Sequence, residues 1–256
     1  MAHYHFNAGY TSRGNEQSVT ERVSYITGKT LRDNYYNETF YKDREDVLYC
    51  KIILPNKSPP SFYDLQSLCF EIDKAEKERK KARTARVIVG ALPNELPLKE
   101  LINIVEEFVD VNFTKYGVGA IVAIHEGKNE EHPSKNNPHV HIIVTTRSIG
   151  TEGFFKKKNR ELDKPKYLLI WRIQWEILQN RAYKRNGIEA EVSCKSLKEQ
   201  GCKRKPLPHL SFADYQKEKR GIRTIAGDKR REVKKYNKKI KHEKKHSKTH
   251  NIDMEM

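Results

Sequence analysis

Three histidines, His125, His139 and His141, punctuate the stretch IVAIHEGKNEEHPSKNNPHVHIIVTTR, and their spacing is that of a metal site. His139 and His141 flank Val140 inside a β-branched run. Side chains two apart on a strand point to one face, so both imidazoles look the same way. His125 closes a second strand-like run, IVAI. The loop between the runs is rich in Asn, Pro, Lys and Glu, so antiparallel pairing brings His125 beside the other two. Three converging imidazoles hold a divalent ion and leave coordination positions open, which suits catalysis better than a closed structural site. Mn²⁺ or Mg²⁺ is the expected ion, manganese by ligand softness and magnesium by abundance. Two rival readings stay open: a zinc site, or strand histidines with no metal at all.

A second group could supply a nucleophile. Ser18, with Glu21 three residues on, forms a capping box, and Gly28 is a natural stop, so a short helix is expected over 18–28. Val19, Val23 and Ile26 fall within about 60° of one another on a helical wheel, and Tyr25 lies about 120° off that stripe. Its hydroxyl is therefore available to solvent. Arg22 shares that side, and Lys29 follows the helix end. Cations beside a phenol favour its oxyanion and attract phosphate, and such a tyrosine is a competent nucleophile. The chain has 13 tyrosines, so alternatives exist. Tyr35 and Tyr36 are the nearest competitors, and Tyr10 and Tyr41 weaker ones.

These groups need a frame to bring them together. Period-two runs predict strands over 2–10, 47–54, 85–92, 119–125 and 139–146. Helices are predicted over 18–28, 61–82, 97–115 and 165–186, with shorter pieces at 194–200 and 211–220. Ser61 followed by Asp64 marks the second start, and Pro97 suits the first turn of the third. Trp171 and Trp175, one helical turn apart, read as core. The fold class is α+β, a mostly antiparallel central sheet flanked by helices, with a basic helical or disordered C-terminal tail.

Charge narrows the partners. Across 256 residues, 50 Lys and Arg stand against 34 Asp and Glu, a net +16 that calls for a polyanion. The excess gathers in KRREVKKYNKKIKHEKKHSKTH, giving an expected division into a domain over 1–225 and a basic DNA-binding tail over 226–256. No apolar run approaches the roughly 20 residues of a membrane span. MAHYHFNAGY lacks a signal-peptide pattern, and the four cysteines form no CxxC pair, so a reducing cytoplasm is expected.

In order along the chain, MAHYHFNAGYTSRG, Tyr25, VIVGALPNELPL, AIHEGKN, NPHVHIIVTTR and WRIQWEILQNRAYKRNGIEAEVSCKSLKEQG with a later PHL resemble the MobA/MobL family of plasmid mobilisation relaxases. These belong to the wider His-hydrophobe-His (HUH) endonucleases. NPHVH with an upstream AIH is the specific signal; ALPNEL is less so. The resemblance implies a relaxase-like fold, with an ion on His125, His139 and His141 and Tyr25 as nucleophile. It implies nicking of one strand at an origin of transfer, leaving a 5′-phosphotyrosyl enzyme and a free 3′-OH. Implied partners are single-stranded or hairpin origin DNA, with relaxosome accessory and coupling proteins, in the cytoplasm of a bacterium carrying the plasmid or mobile element. His5, of the pair His3 and His5, is expected to border the site, and His209 stands where relatives carry a histidine. One departure matters: many relatives carry a carboxylate in the strand before ALP, where this chain has Val87-Ile88-Val89. A rolling-circle replication initiator shares the metal motif but places its tyrosine after the histidines, which would require a residue such as Tyr183, followed by Lys184. A noncatalytic DNA-binding module is the third reading.

Deleting residues after 226 should weaken DNA binding and flatten its salt dependence, by about 0.7 log units of slope for each phosphate of a single strand that the shortened chain no longer neutralises. Binding isotherms at several salt concentrations read this directly. An unchanged slope would remove the tail from DNA binding.

Overall fold

The computed structural model describes residues 4–76, 82–128 and 136–252. His3 and the last part of the expected second helix lie outside the described residues. The chain divides into two compact units, Met1–Cys194 and Lys195–Met256.

The first unit is built on five antiparallel strands: β1 (Phe6–Ser12), β4 (Val47–Ile53), β5 (Arg83–Ala91), β6 (Ala120–His125) and β7 (His139–Thr145), in the order β1-β5-β7-β6-β4. Two small hairpins join it, β2 (Leu31–Asp33) with β3 (Glu38–Phe40), and β8 (Arg147–Gly150) with β9 (Gly153–Lys158). Among the described residues, four α-helices complete the unit: α1 (Val19–Thr27), α2 (Leu65–Ala75), α3 (Leu98–Asn112) and α4 (Pro165–Arg185).

Strand parity sorts the side chains into two cores. Ile88, Val122, Ile124, Val140, Ile142 and Val144 pack with α3 and α4 on one face. Ala85, Ile121, Ala123 and Ile143 pack with α1 and α2 on the other. His125, His139 and His141 continue the second set by period-two alternation, at the strand ends beyond its apolar residues. Trp175 is fully buried and donates its indole N–H to the Ala91 carbonyl at 3.2 Å, as a core tryptophan should.

Several elements differ from expectation for identifiable reasons. The helix expected from 61 begins only at Leu65, after a 3₁₀ turn over Pro60–Tyr63. Asp64, not Ser61, is the cap, accepting from the Ser67 N–H at 2.8 Å. That helix stops at Ala75 because Glu76 turns into an extended conformation. There it meets Arg147 at 3.1 Å and Lys158 at 2.7 Å in a buried ion cluster. Pro97 caps α3 rather than occupying its first turn, and 194–200 is turn rather than helix. The two hairpins have no counterpart among the predicted strands, because their own strands are short and largely polar.

The second unit carries α5 (Phe212–Lys219) and α6 (Ile225–Ile252). Asn237 on α6 clasps the Lys205 backbone in both directions, each bond 2.8 Å. Arg230 donates to the Pro208 carbonyl at 2.8 Å. The basic tail is thus helical over its described length.

Gly90 sits where Trp175 presses onto the sheet: a Cβ there would lie 2.8 Å from the indole ring. Trp175 is buried and cannot yield cheaply. Gly90→Ala should therefore cost about 1–3 kcal/mol, read as a lower urea midpoint with unchanged slope. An unshifted midpoint would mean that the two layers are looser than this packing implies.

Candidate active site

β6 and β7 pair so that His125 lies opposite His139 and Ala123 opposite His141. The three imidazoles offer one ligand nitrogen each, all within 4.8 Å of one another. Their ring centroids are 4.7–5.3 Å apart. Hydrogen bonds fix two of the tautomers. The fully buried His125 ring donates from Nε2 to the Ile26 carbonyl at 2.7 Å. A carbonyl only accepts, so the proton is on Nε2 and Nδ1 carries the lone pair. Nδ1 is buried and has no hydrogen-bond partner among the described residues. His139 does the converse, donating from Nδ1 to the Asn137 carbonyl at 2.8 Å and leaving Nε2. Outward N–H groups tied to backbone carbonyls are the usual support of metal-binding histidines, and an orphaned inward nitrogen is what an ion would satisfy. The residues fit a divalent metal.

Electrostatics agree. Burial, then the neighbouring His125 and His139, pushes His141 down to about 3. Burial likewise lowers His125, with the Ile26 carbonyl opposing. Both rings stay neutral and keep their lone pairs for a metal. No carboxylate joins the cluster among the described residues. The strand before ALPNEL places Val89 directly opposite His141.

Tyr25 stands beside this cluster. Its ring is 6.3 Å from that of His141, edge to face, and the side chain is 46% exposed. Local sequence explains the pose. Ser18 caps α1, accepting from the Glu21 N–H at 2.9 Å, and Gly28 closes it at φ +68°. Val19, Val23 and Ile26 are buried, leaving Tyr25 at the helix edge.

The other candidates scatter. Arg22 lies close enough for its charge to act on His141. Lys29 instead acts on Cys50 and Asp64. The cation that stacks on Tyr25 is Arg44, 4.5 Å from the ring centroid, which no sequence signal singled out. Tyr35 and Tyr36 cluster with each other and bond their backbone N–H groups to Asp33, which also accepts from Ser18. That is the opposite end of α1 from Ile26, about 12 Å away along the helix. Tyr10 donates to Asp163 at 3.0 Å. His5 lies in register with Ala91, whose N–H donates to its carbonyl at 3.0 Å. Since Ala91 pairs with His139, His5 shares the row and face of the triad, two strands away, or about 10 Å. His209 is in the second unit, lining a cleft of about 800 Å³ with Tyr215, Glu218 and Arg230. Tyr183 is 1% exposed, packs in the core on the opposite face and donates to Glu95 at 3.0 Å.

Fold and site together define an α+β protein with three clustered histidines that fit a metal and a tyrosine set beside them. The MobA/MobL family model matches residues 17–220, and the chain belongs to that family. It is 34% identical over 163 residues to the probable mobilization protein MobA of Bifidobacterium longum (strain NCC 2705), covering 62% of this chain and 28% of that protein. It is 29% identical over 248 residues to mobilization protein A of Escherichia coli, covering 89% and 32%. The chain thus spans roughly a third of the length of these relatives. A structure solved for the molecular basis of vancomycin-resistance transfer in Staphylococcus aureus aligns with TM-score 0.68 at 28% identity, covering 76% of this chain and all of that one. The metal-bound conjugative relaxase TrwC in complex with oriT DNA shares the fold, with TM-score 0.50 at 10% identity, covering 92% and 98%.

His125→Ala removes one ligand and strips the Ile26 carbonyl of its donor. Mn²⁺ affinity, measured by titration calorimetry on the full chain, should fall by more than about 10²-fold. A change under about tenfold would place the ion elsewhere.

Proposed function

We propose that this chain is a plasmid mobilisation relaxase, which nicks one DNA strand at an origin of transfer by tyrosine transesterification and later rejoins it. The observation that carries the reading is Tyr25, exposed and 6.3 Å from the His141 ring, beside three imidazoles that each offer a ring nitrogen within 4.8 Å of the others. His125 through Nδ1, His139 through Nε2 and His141 would hold a divalent ion, Mn²⁺ or Mg²⁺. When bound, it supplies charge that polarises the phosphate and offsets the negative charge of the five-coordinate transition state. The protein's own groups do the rest. Tyr25 Oη attacks phosphorus as its proton passes to solvent, the Oη–P bond forms, and the P–O3′ bond breaks as the departing oxygen takes a proton from water. The product is a 5′-phosphotyrosyl enzyme and a free 3′-OH. Because the ester replaces one phosphodiester bond with another, the 3′-OH can reverse the step.

The proposed substrate is single-stranded or hairpin origin DNA, with relaxosome accessory and coupling proteins as partners, in the bacterial cytoplasm. Among the described residues, no helix is long and apolar enough to cross a membrane. Residues 226–256 are proposed as a DNA-binding arm beyond a relaxase domain over 1–225; the succession of lysines and arginines on α6 supports nonspecific phosphate contact. A replication initiator using Tyr183 is disfavoured, since that hydroxyl is buried on the wrong face of the sheet.

The test is covalent capture. The full chain with Mn²⁺ is mixed with a tiled single-stranded DNA library covering the DNA on either side of its coding sequence. Wild type, Tyr35→Phe, Tyr36→Phe and Tyr183→Phe should form a protein–DNA adduct, and Tyr25→Phe should not. An adduct in Tyr25→Phe, absent from one of the others, would transfer the nucleophile's role to that tyrosine.

A further inference from the structure

Arg44 lies in the irregular stretch between β3 and β4, and it is held from several directions. Its guanidinium carbon sits 4.5 Å from the Tyr25 ring centroid, within cation–π range. Nε and Nη2 donate to the two carboxylate oxygens of Asp46 at 2.8 and 2.7 Å, the bidentate fork that only arginine offers. The backbone is seated as firmly. At Gly28, the cap of α1, a Cβ would touch the Arg44 backbone and Cβ at 3.4 Å. The Asp46 carbonyl accepts from the Glu126 N–H, one residue past His125, at 2.9 Å. Arg44 is thereby wedged between the helix that carries Tyr25 and the strand that carries His125.

The guanidinium also interacts with the Tyr25 hydroxyl, and Asp46 together with Tyr25 holds Arg44 above its ordinary value. Resting on the relaxase reading, we propose that Arg44, aimed by Asp46, is the positioning residue of the nucleophile, holding the Tyr25 ring against its guanidinium. In the step already described, Oη–P forms and P–O3′ breaks; Arg44 keeps all its protons and contributes only geometry and charge. Lysine in its place would keep the charge but lose both the fork to Asp46 and the flat surface under the ring.

The test is single-turnover adduct formation by the full chain with Mn²⁺ and the same tiled single-stranded library, alongside DNA affinity and melting temperature. Arg44→Ala should lower the adduct-forming rate constant by about 10²-fold while the dissociation constant moves less than about threefold. Millimolar guanidinium should restore much of the rate to Arg44→Ala and none to Tyr25→Phe. Arg44→Lys should fall between wild type and Arg44→Ala, and Asp46→Asn, which keeps the arginine but loosens its aim, should slow the step by about tenfold. If Arg44→Ala does not fold, Arg44→Lys and Asp46→Asn carry the same test. A wild-type rate in the Arg44 variants overturns this inference alone. So does a loss of rate matched by equal losses of affinity and melting temperature without guanidinium rescue, which would make Arg44 structural. No adduct with the wild-type chain overturns the relaxase reading and this inference together.

Discussion

The hydrogen bond from His125 Nε2 to the Ile26 carbonyl is the contact on which the site depends. Ile26 lies in the last turn of α1, where backbone carbonyls have no partner within the helix. One imidazole N–H satisfies such a carbonyl, and in doing so it commits His125 to the tautomer whose Nδ1 is free. The same contact docks the end of α1 against β6. Because Tyr25 immediately precedes Ile26, docking the carbonyl delivers the phenol to the triad. The tautomer, the helix position and the tyrosine's location thus follow from one donor and one acceptor, 99 residues apart in sequence.

The sheet separates stability from chemistry by parity. On the α3 and α4 face, apolar side chains and Trp175 run the length of the central strands. On the α1 and α2 face, the apolar set ends at Ala123 and Ile143, and the next positions of like parity are His125 and His141. A row across the sheet then reads His125, His139, Ala91 and His5. Polar rings can occupy this end because the apolar packing beneath α1 and α2 stops short of it, while the opposite face continues to hold the strands in register. Register in turn protects the triad: a slip of one residue in β7 would turn His139 and His141 into the α3 and α4 core, where they would meet no metal and no water.

What could be read from sequence follows the range of the interactions involved. The pairing of His139 with His141 rests on the two-residue strand period, and the cap and exposed flank of α1 on the helical period; both are local and were legible. The central sheet and its flanking helices were legible for the same reason, and the structure bears that class out. Elements decided at long range were not. α2 ends where Glu76 meets Arg147 and Lys158, more than seventy residues on, and nothing near Glu76 announces those cations. Arg44 and Asp46 occupy a segment with no periodicity, and they reach the site only because β4 pairs with β6 as the edge strand. The cations near Tyr25 in sequence, Arg22 and Lys29, were therefore visible, whereas the one that stacks on it was not.

The position of the proposed nucleophile raises an electrostatic difficulty that the surrounding residues answer. Tyr25 sits in the last turn of α1, where exposed carbonyls and the helix macrodipole present partial negative charge. A phosphodiester is repelled by such an end, and a five-coordinate phosphorane more so. The site reverses that sign. Asp46 carries a full negative charge, with its carboxyl held below the usual range chiefly by the Arg44 hydrogen bonds, yet that charge is spent inward on the arginine. Arg44 is raised above its ordinary value, first by those same bonds, so it stays charged beside the ring. The His125 and His141 imidazoles, kept neutral by burial, add no charge of their own but can host a divalent cation. On the proposed reading, a helix end unsuited to anions would become a cationic seat, with one positive centre fixed by the fold at Arg44 and one that a bound ion would supply.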